Sequence, residues 1–286
     1  MNKWFLLFAV FLASLGFASP IQDHKIDSNA LSQLVSALGI SKDADIITET
    51  QKRWLRKTGQ ERWELNELSP EQRLYVLDWA ENQGLFTPWK PACEHYDKAL
   101  ILGATTSRMQ MRLDYLIELW AQGTRFDEIV WLTGDRPLDK RVDGLTDRCQ
   151  NESQAAKILW EETDLPQEMR NLPVVFIAVP MKTEGASLKR PNTEDTIIAW
   201  LAEIPHPCRA LFVSDQPFCG YQFAVIKTCL PEAFQFDLVG QGVDSTSHPA
   251  AAAITLDSIA RWLYQESLYT QVSSKVGNLA KPTPHL

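Results

Sequence analysis

What this chain lacks narrows what it can be. With five cysteines and five histidines in 286 residues, it has no Cys-x-x-Cys pair and no His-rich spacing, so no metal centre is expected. It has neither the phosphate-cradling Gly-x-x-x-x-Gly-Lys loop nor the Gly-x-Gly-x-x-Gly fingerprint. Positive charge is in short supply: 28 Lys and Arg stand against 36 Asp and Glu, a formal net charge of -8, which argues against a nucleic-acid surface. After the first 18 residues no apolar run is long enough to span a bilayer. There is no internal repeat and no low-complexity tract.

The first residues read as an export signal. Lys3 supplies the positive region, WFLLFAVFLASL the apolar one, and Gly16-Phe17-Ala18 the small residues a signal peptidase reads, with cleavage expected after Ala18. No cysteine follows that site, which argues against a lipid anchor. The mature chain is expected in a periplasm or outside the cell, with no membrane span left after cleavage. Disulfides are permitted there, and an odd number of cysteines leaves at least one thiol free. Cys93 and Cys208 each precede an expected strand, so both fall near one sheet edge and form the preferred pair. Buried free thiols are the alternative reading.

The chain is organised around Lys98–Thr106, KALILGATT. An all-apolar run ends in small residues, and the helical pattern MQMRLDYLIELWAQG follows at once. That is the opening of a parallel α/β unit. The grammar recurs in five beats, with strands at Ala99–Leu102, Glu128–Leu132, Val174–Val179, Ala210–Ser214 and Phe234–Val239. The expected fold is α/β: a Rossmann-like three-layer domain over 96–270 with a five-stranded, mostly parallel sheet. A small helical segment and linker (19–95) precede it as a cap or lid, and a polar, flexible tail (271–286) follows it. Ser69-Pro70-Glu71-Gln72 is a capping box that opens one of the early helices. Trp54, Trp79, Trp120, Trp160, Trp200 and Trp262 lie in helical patterns, where core packing is the reading.

Right-handed crossovers bring all strand-to-helix loops to the carboxyl edge, where ligands of such sheets bind. Loop one carries Gly103, Thr105, Thr106 and Arg108; hydroxyls at a helix start suit a phosphate or carboxylate, or serve as plain caps. Loop two opens Thr133-Gly134-Asp135-Arg136, a pair that binds substrate or braces the loop. The later charges Asp139, Lys140, Arg141, Asp143, Asp147 and Arg148 read as a solvated face. Loop three has Asn192 and Asp195 in a capping-box pattern, with Lys182, Lys189 and Arg190 as surface neighbours. Loop four holds Asp215, a carboxylate directly after a strand, and loop five holds His248, a rim imidazole or a helix cap. Asp135, Asp215 and His248 are the candidates for proton transfer.

The order of these features resembles the YdcF/SanA-like family of bacterial envelope-associated α/β domains. The likeness covers roughly 98–239 and rests on Gly103, Arg112, Thr133-Gly134, Glu152, Asn192-Thr193 with Asp195, and Val213-Ser214. It implies a Rossmann-like fold, a link to envelope integrity and peptidoglycan-related processes, and a nucleotide-like ligand such as S-adenosylmethionine in some members. It carries Gly103, Arg112, Gly134, Glu152, Asn192, Thr193 and Asp195 over as polar site candidates. The chain departs from the pattern at Phe218 and Tyr221, where the family has His and Arg, and at Thr196, where Asn is usual.

Two functions follow as expectations. One is an exported domain that binds, or acts on, a phosphorylated or other anionic small molecule in the envelope. The alternative is a non-catalytic envelope protein that binds a ligand or a protein partner. Methyl transfer ranks lower, since S-adenosylmethionine is scarce outside the cytoplasm. No cofactor, oligomeric state or reaction is specified by the residues.

Overall fold

The computed structural model describes residues 19–41, 43–57, 60, 68–185, 187–203, 206–246 and 248–279. The expected export signal, 1–18, and the last residues of the expected tail, 280–286, lie outside them. A two-residue edge strand, β1 (Ser19–Pro20), opens the described chain. Three helices follow: α1 (Ser28–Ala37), α2 (Ile46–Trp54) and α3 (Pro70–Asn82). Asp27 and Asp45 cap the first two by accepting from the Ala30 and Ile47 N–H groups, and Ser69 with Gln72 closes the reciprocal box on the third. α1 and α3 stop at Gly39 and Gly84, whose φ of +74° and +69° disfavours any residue with a Cβ.

The α/β part then unfolds as the apolar runs predict. β2 (His95–Leu102) leads to α4 (Thr106–Ala121), and β3 (Arg125–Gly134) to α5 (Glu152–Glu162) and the short α6 (Gln167–Arg170). β4 (Val174–Val179) is followed by a small antiparallel hairpin, β5 (Lys182–Glu184) and β6 (Ser187–Lys189), and then α7 (Thr193–Glu203). β7 (Arg209–Asp215), α8 (Cys219–Cys229), β8 (Gln235–Gln241) and α9 (Ala251–Leu279) complete the chain. The large sheet has the order β1-β8-β7-β2-β3-β4 and every pairing in it is parallel. The five expected strands form it, with β1 added at the β8 edge. From β2 the chain winds outward through β3 and β4, then returns to the other side for β7 and β8. The reversal puts the topological switch between β2 and β7.

Both faces are covered, which is why the strands carry runs of successive apolar residues, such as ALIL in β2 and IVWL in β3, rather than alternate ones. Ala99, Ile101, Ile129 and Trp131 pack beneath α4 and α5, while Leu100, Leu102, Val130 and Leu132 pack beneath α7 and α8. A further layer lies outside α8. There Leu34, Val35, Trp54, Val76 and Trp79 of the early helices bury themselves against Leu256, Ile259 and Trp262 of α9 and Ala224 of α8. The Gln51 side chain donates to the Ala260 carbonyl at 2.6 Å and fixes α2 on α9. The six tryptophans assigned to the core are all buried.

Two expectations fail. All five cysteines are free thiols. Cys93 packs with the cluster on the α4/α5 face and Cys208 with the cluster on the α7/α8 face, so the sheet separates the preferred pair. The polar tail does not begin at Gln271, because α9 continues to Leu279. Just before Gln271, Tyr269 meets α8, with the Lys227 ammonium 4.3 Å from its ring centroid.

Candidate functional site

A cavity of about 600 Å³ opens at the carboxyl edge over the switch between β2 and β7. Gly103, Thr105, Arg108, Arg112, Gly134, Arg136, Glu152, Asn192, Thr193 and His248 line it, and the loop holding Asp215 contributes Phe218 and, just beyond, Tyr221. Asp215 lies behind the wall, fully buried, and takes ion pairs from two directions. Arg112, itself buried, donates Nε to Asp215 Oδ1 at 2.8 Å and Nη1 to the carbonyls of Leu102 and Gly103 at 2.5 and 3.0 Å. It therefore ties the end of β2 to the end of β7. Arg108 pairs with Asp215 Oδ2, and its guanidinium stacks on the Phe218 ring at 4.3 Å. Its side chain keeps 29% of its surface exposed.

Arg136 has the reverse arrangement, one guanidinium between two carboxylates. It donates to Asp143 at 2.7 and 3.1 Å, to Glu152 Oε2 at 2.9 Å and to the Ala104 carbonyl at 3.1 Å. Burial alone would lower its pKa; the hydrogen bonds to Asp143 and the Glu152 charge outweigh that and raise it, so it stays protonated. Burial pushes the Glu152 carboxyl up, against the pull of Arg136 and of the Gly134 N–H. Burial also works to raise Asp143, but Arg136 and the N–H groups of Asp139 and Thr106 hold it below the usual carboxylate range. Asp143 thus corrects the reading of this stretch as a solvated face: it is buried and joins loop two to the start of α4, through the Thr106 N–H at 3.0 Å. The Thr106 hydroxyl completes the joint by accepting from the Gly144 N–H at 2.8 Å, so Thr106 serves structure and does not line the cavity.

The glycines follow from this packing. A Cβ on Gly103 would fall inside contact distance of Glu152 Oε1 and lie 2.7 Å from the Leu132 carbonyl oxygen. A Cβ on Gly134 would strike the Pro191 ring. Asp135 turns away from the cavity and accepts from the Ser153 hydroxyl at 2.7 Å and from Asn151 at 3.4 Å, bracing the start of α5. Asn192 and Asp195 close a box at the start of α7: Asn192 N–H donates to Asp195 at 2.8 Å and Asp195 N–H to Asn192 at 3.0 Å. Lys182 pairs with Asp195, which is not part of the lining.

Two long helices, α4 and α7, therefore point their N-terminal ends at the cavity, with Thr105, Ser107, Asn192 and Thr193 at its edge. Thr105 makes no side-chain cap bond. His248 sits on the rim, and its Nδ1 accepts the Ala250 N–H at 3.0 Å, which places the proton of the neutral ring on Nε2. Tyr221 lines the cavity edge-on to Phe218, with ring centroids 6.2 Å apart. Among the described residues no group of three or more His, Cys, Asp and Glu side chains is placed to hold a metal ion.

Sequence reasoning missed one wall. Arg56 from the end of α2, with Ile254, Arg261 and Gln265 from α9, faces the same space. Asp257 and Arg261 are an i,i+4 pair, a pattern that reads as ordinary helix stabilisation. No family model matches the chain, and no curated protein or solved structure matches it.

Proposed function

We propose that this is an exported, YdcF/SanA-like envelope domain whose cavity binds a phosphorylated or other anionic small molecule. The observation that carries the binding reading is Arg108. It stands in the first turn of α4, at the switch between β2 and β7, with its guanidinium oriented from behind by Asp215 and from below by Phe218. An anion there meets a guanidinium already held in one geometry, together with the N–H groups of the helix start. Arg136, enclosed by Asp143 and Glu152, braces loop two and is no longer the natural anion contact. Export and an envelope role rest on the N-terminal signal and the family likeness.

The alternative, a binder without turnover, has specific support. Asp215 is engaged by two arginines, Asp135 faces away from the cavity, and Phe218 and Tyr221 stand where the family has His and Arg. His248 with its proton on Nε2 is a donor to a ligand rather than a base. Thermal unfolding against phosphate, phosphate monoesters, nucleotides and sugar nucleotides tests the binding reading. A ligand at 100 times its Kd adds about 2.7 kcal/mol, and Arg108→Gln abolishes the shift while leaving Asp215 paired with Arg112. No shift with any anion would sink the binding reading; release of product from a bound ester would exclude the non-catalytic one.

A further inference from the structure

The wall supplied by α2 and α9 repeats the construction found at Arg108. Arg261 grips Asp257 with two hydrogen bonds, Nε to Oδ2 at 2.8 Å and Nη2 to Oδ1 at 3.0 Å. Asp257 is fully buried and the Arg261 side chain is 30% exposed, against 0% and 29% for Asp215 and Arg108. Each arginine is a cation aimed into the cavity by an aspartate that solvent does not reach. Arg56 joins the second site, because its main-chain N–H donates to the same Asp257 at 3.3 Å and its residue lines the cavity. The two sites lie across an aromatic step. Phe218 lies under Arg108 and meets Tyr221 edge-on, and Tyr221 and Arg261 line the same cavity. A cavity of about 600 Å³ is also far larger than one phosphate needs and falls in the range of sites for drug-sized ligands.

We propose that the cavity takes a two-ended ligand: a phosphoryl or carboxylate group at Arg108 and the start of α4, an apolar or aromatic body across Tyr221, and a second anionic group at Arg261 and Arg56. The early helices then act as a specificity element, since they carry Arg56 to the site and hold α9 against α8. This inference rests on the anion-binding reading above and extends it.

The test compares α,ω-alkanediol bisphosphates of increasing length with the matching monophosphates, by calorimetry on the whole mature chain. Two tethered contacts act with a high effective concentration when the spacing is right. At one chain length the bisphosphate is expected to bind at least about tenfold tighter than its monophosphate. Arg261→Gln or Arg56→Gln is expected to erase that advantage, so that bisphosphate and monophosphate bind alike. Arg56→Gln keeps the main-chain bond to Asp257, so it guards against an Arg261 variant that fails to fold. Arg209→Gln, at the opposite edge of the sheet, should change neither affinity. Monophosphates that bind with no better bisphosphate at any length, or an advantage that survives both variants, would overturn the two-ended ligand alone. Failure of both ligand series to bind would overturn the anion site itself.

Discussion

Replacing Asp215 with Asn removes one charge from a side chain that two guanidinium groups share and changes almost nothing in volume. The carboxylate has no exposed surface, and Arg112 keeps only 2%. Removing one partner of a buried ion pair costs about 3–5 kcal/mol, because the other charge is left uncompensated. Asn retains one acceptor oxygen but turns an N–H group toward the arginines, so the lower end, about 3 kcal/mol, is expected. Against a typical total of about 5–15 kcal/mol the variant should fold, with a reduced urea midpoint and an unchanged slope followed by tryptophan fluorescence. The same change raises the positive potential at Arg108. Phosphate should therefore bind the folded variant more tightly than the parent, and at 100 times its Kd return about 2.7 kcal/mol. A loss below about 1 kcal/mol would refute the view that Asp215 is the buried counter-charge of both arginines. Weaker phosphate binding by a folded variant would refute the placement of the anion beside them.

Other consequences follow from the same packing. Gly103→Ala must push Glu152 or the Leu132 carbonyl aside, and a loss of about 1–3 kcal/mol in urea unfolding is expected, as for other overpacked cores. A double-mutant cycle with Glu152→Ala should show coupling between the two positions; simple additivity would locate the clash elsewhere. His24 stacks on Trp89 with centroids 3.6 Å apart, and Phe223 meets it edge-on. Burial lowers its pKa, against the raising influence of Asp23, so the neutral ring is the folded form. Its contribution is complete above the ordinary value of 6.5 and falls away as pH drops through the depressed folded value. Between about pH 7 and pH 5 the parent should thus lose stability relative to His24→Phe, and parallel pH profiles would contradict this. With Cys93 and Cys208 on opposite faces of the sheet, reduction should leave the unfolding midpoint where it is; a drop on adding reductant would mean that a disulfide forms after all.

How much of this was legible depends on how far each interaction reaches along the chain. KALIL, EIVWL, VVFIAV, ALFVS and FDLV announce strands because a sheet covered on both faces demands apolar residues at successive positions. Ser69 with Gln72, and Asn192 with Asp195, announce helix starts because a cap is made within one turn. The carboxyl edge as the place of the cavity follows from the handedness of crossovers, which holds whatever the side chains are. Those signals determined the fold class and the five loops, and ten of the site residues singled out in the sequence fall in the cavity lining.

The identity of each arginine's counter-charge was decided only in three dimensions. Arg112 and Asp215 are 103 positions apart and meet because β2 and β7 are neighbours, a pairing no local pattern states. Asp143 looked like one charge in a polar loop, and burial by loop two and α4 makes it the partner of Arg136. Cys93 and Cys208 share an edge but not a face, because the sheet has thickness and a list of strand starts does not. Arg56 and Arg261 enter the site because the early helices bury their apolar stripes on α9 and α8 rather than over the loops. Propensity and pattern act over a few residues and so can be read from the chain, whereas the pairing of charges depends on which distant surfaces the burial of apolar groups brings together.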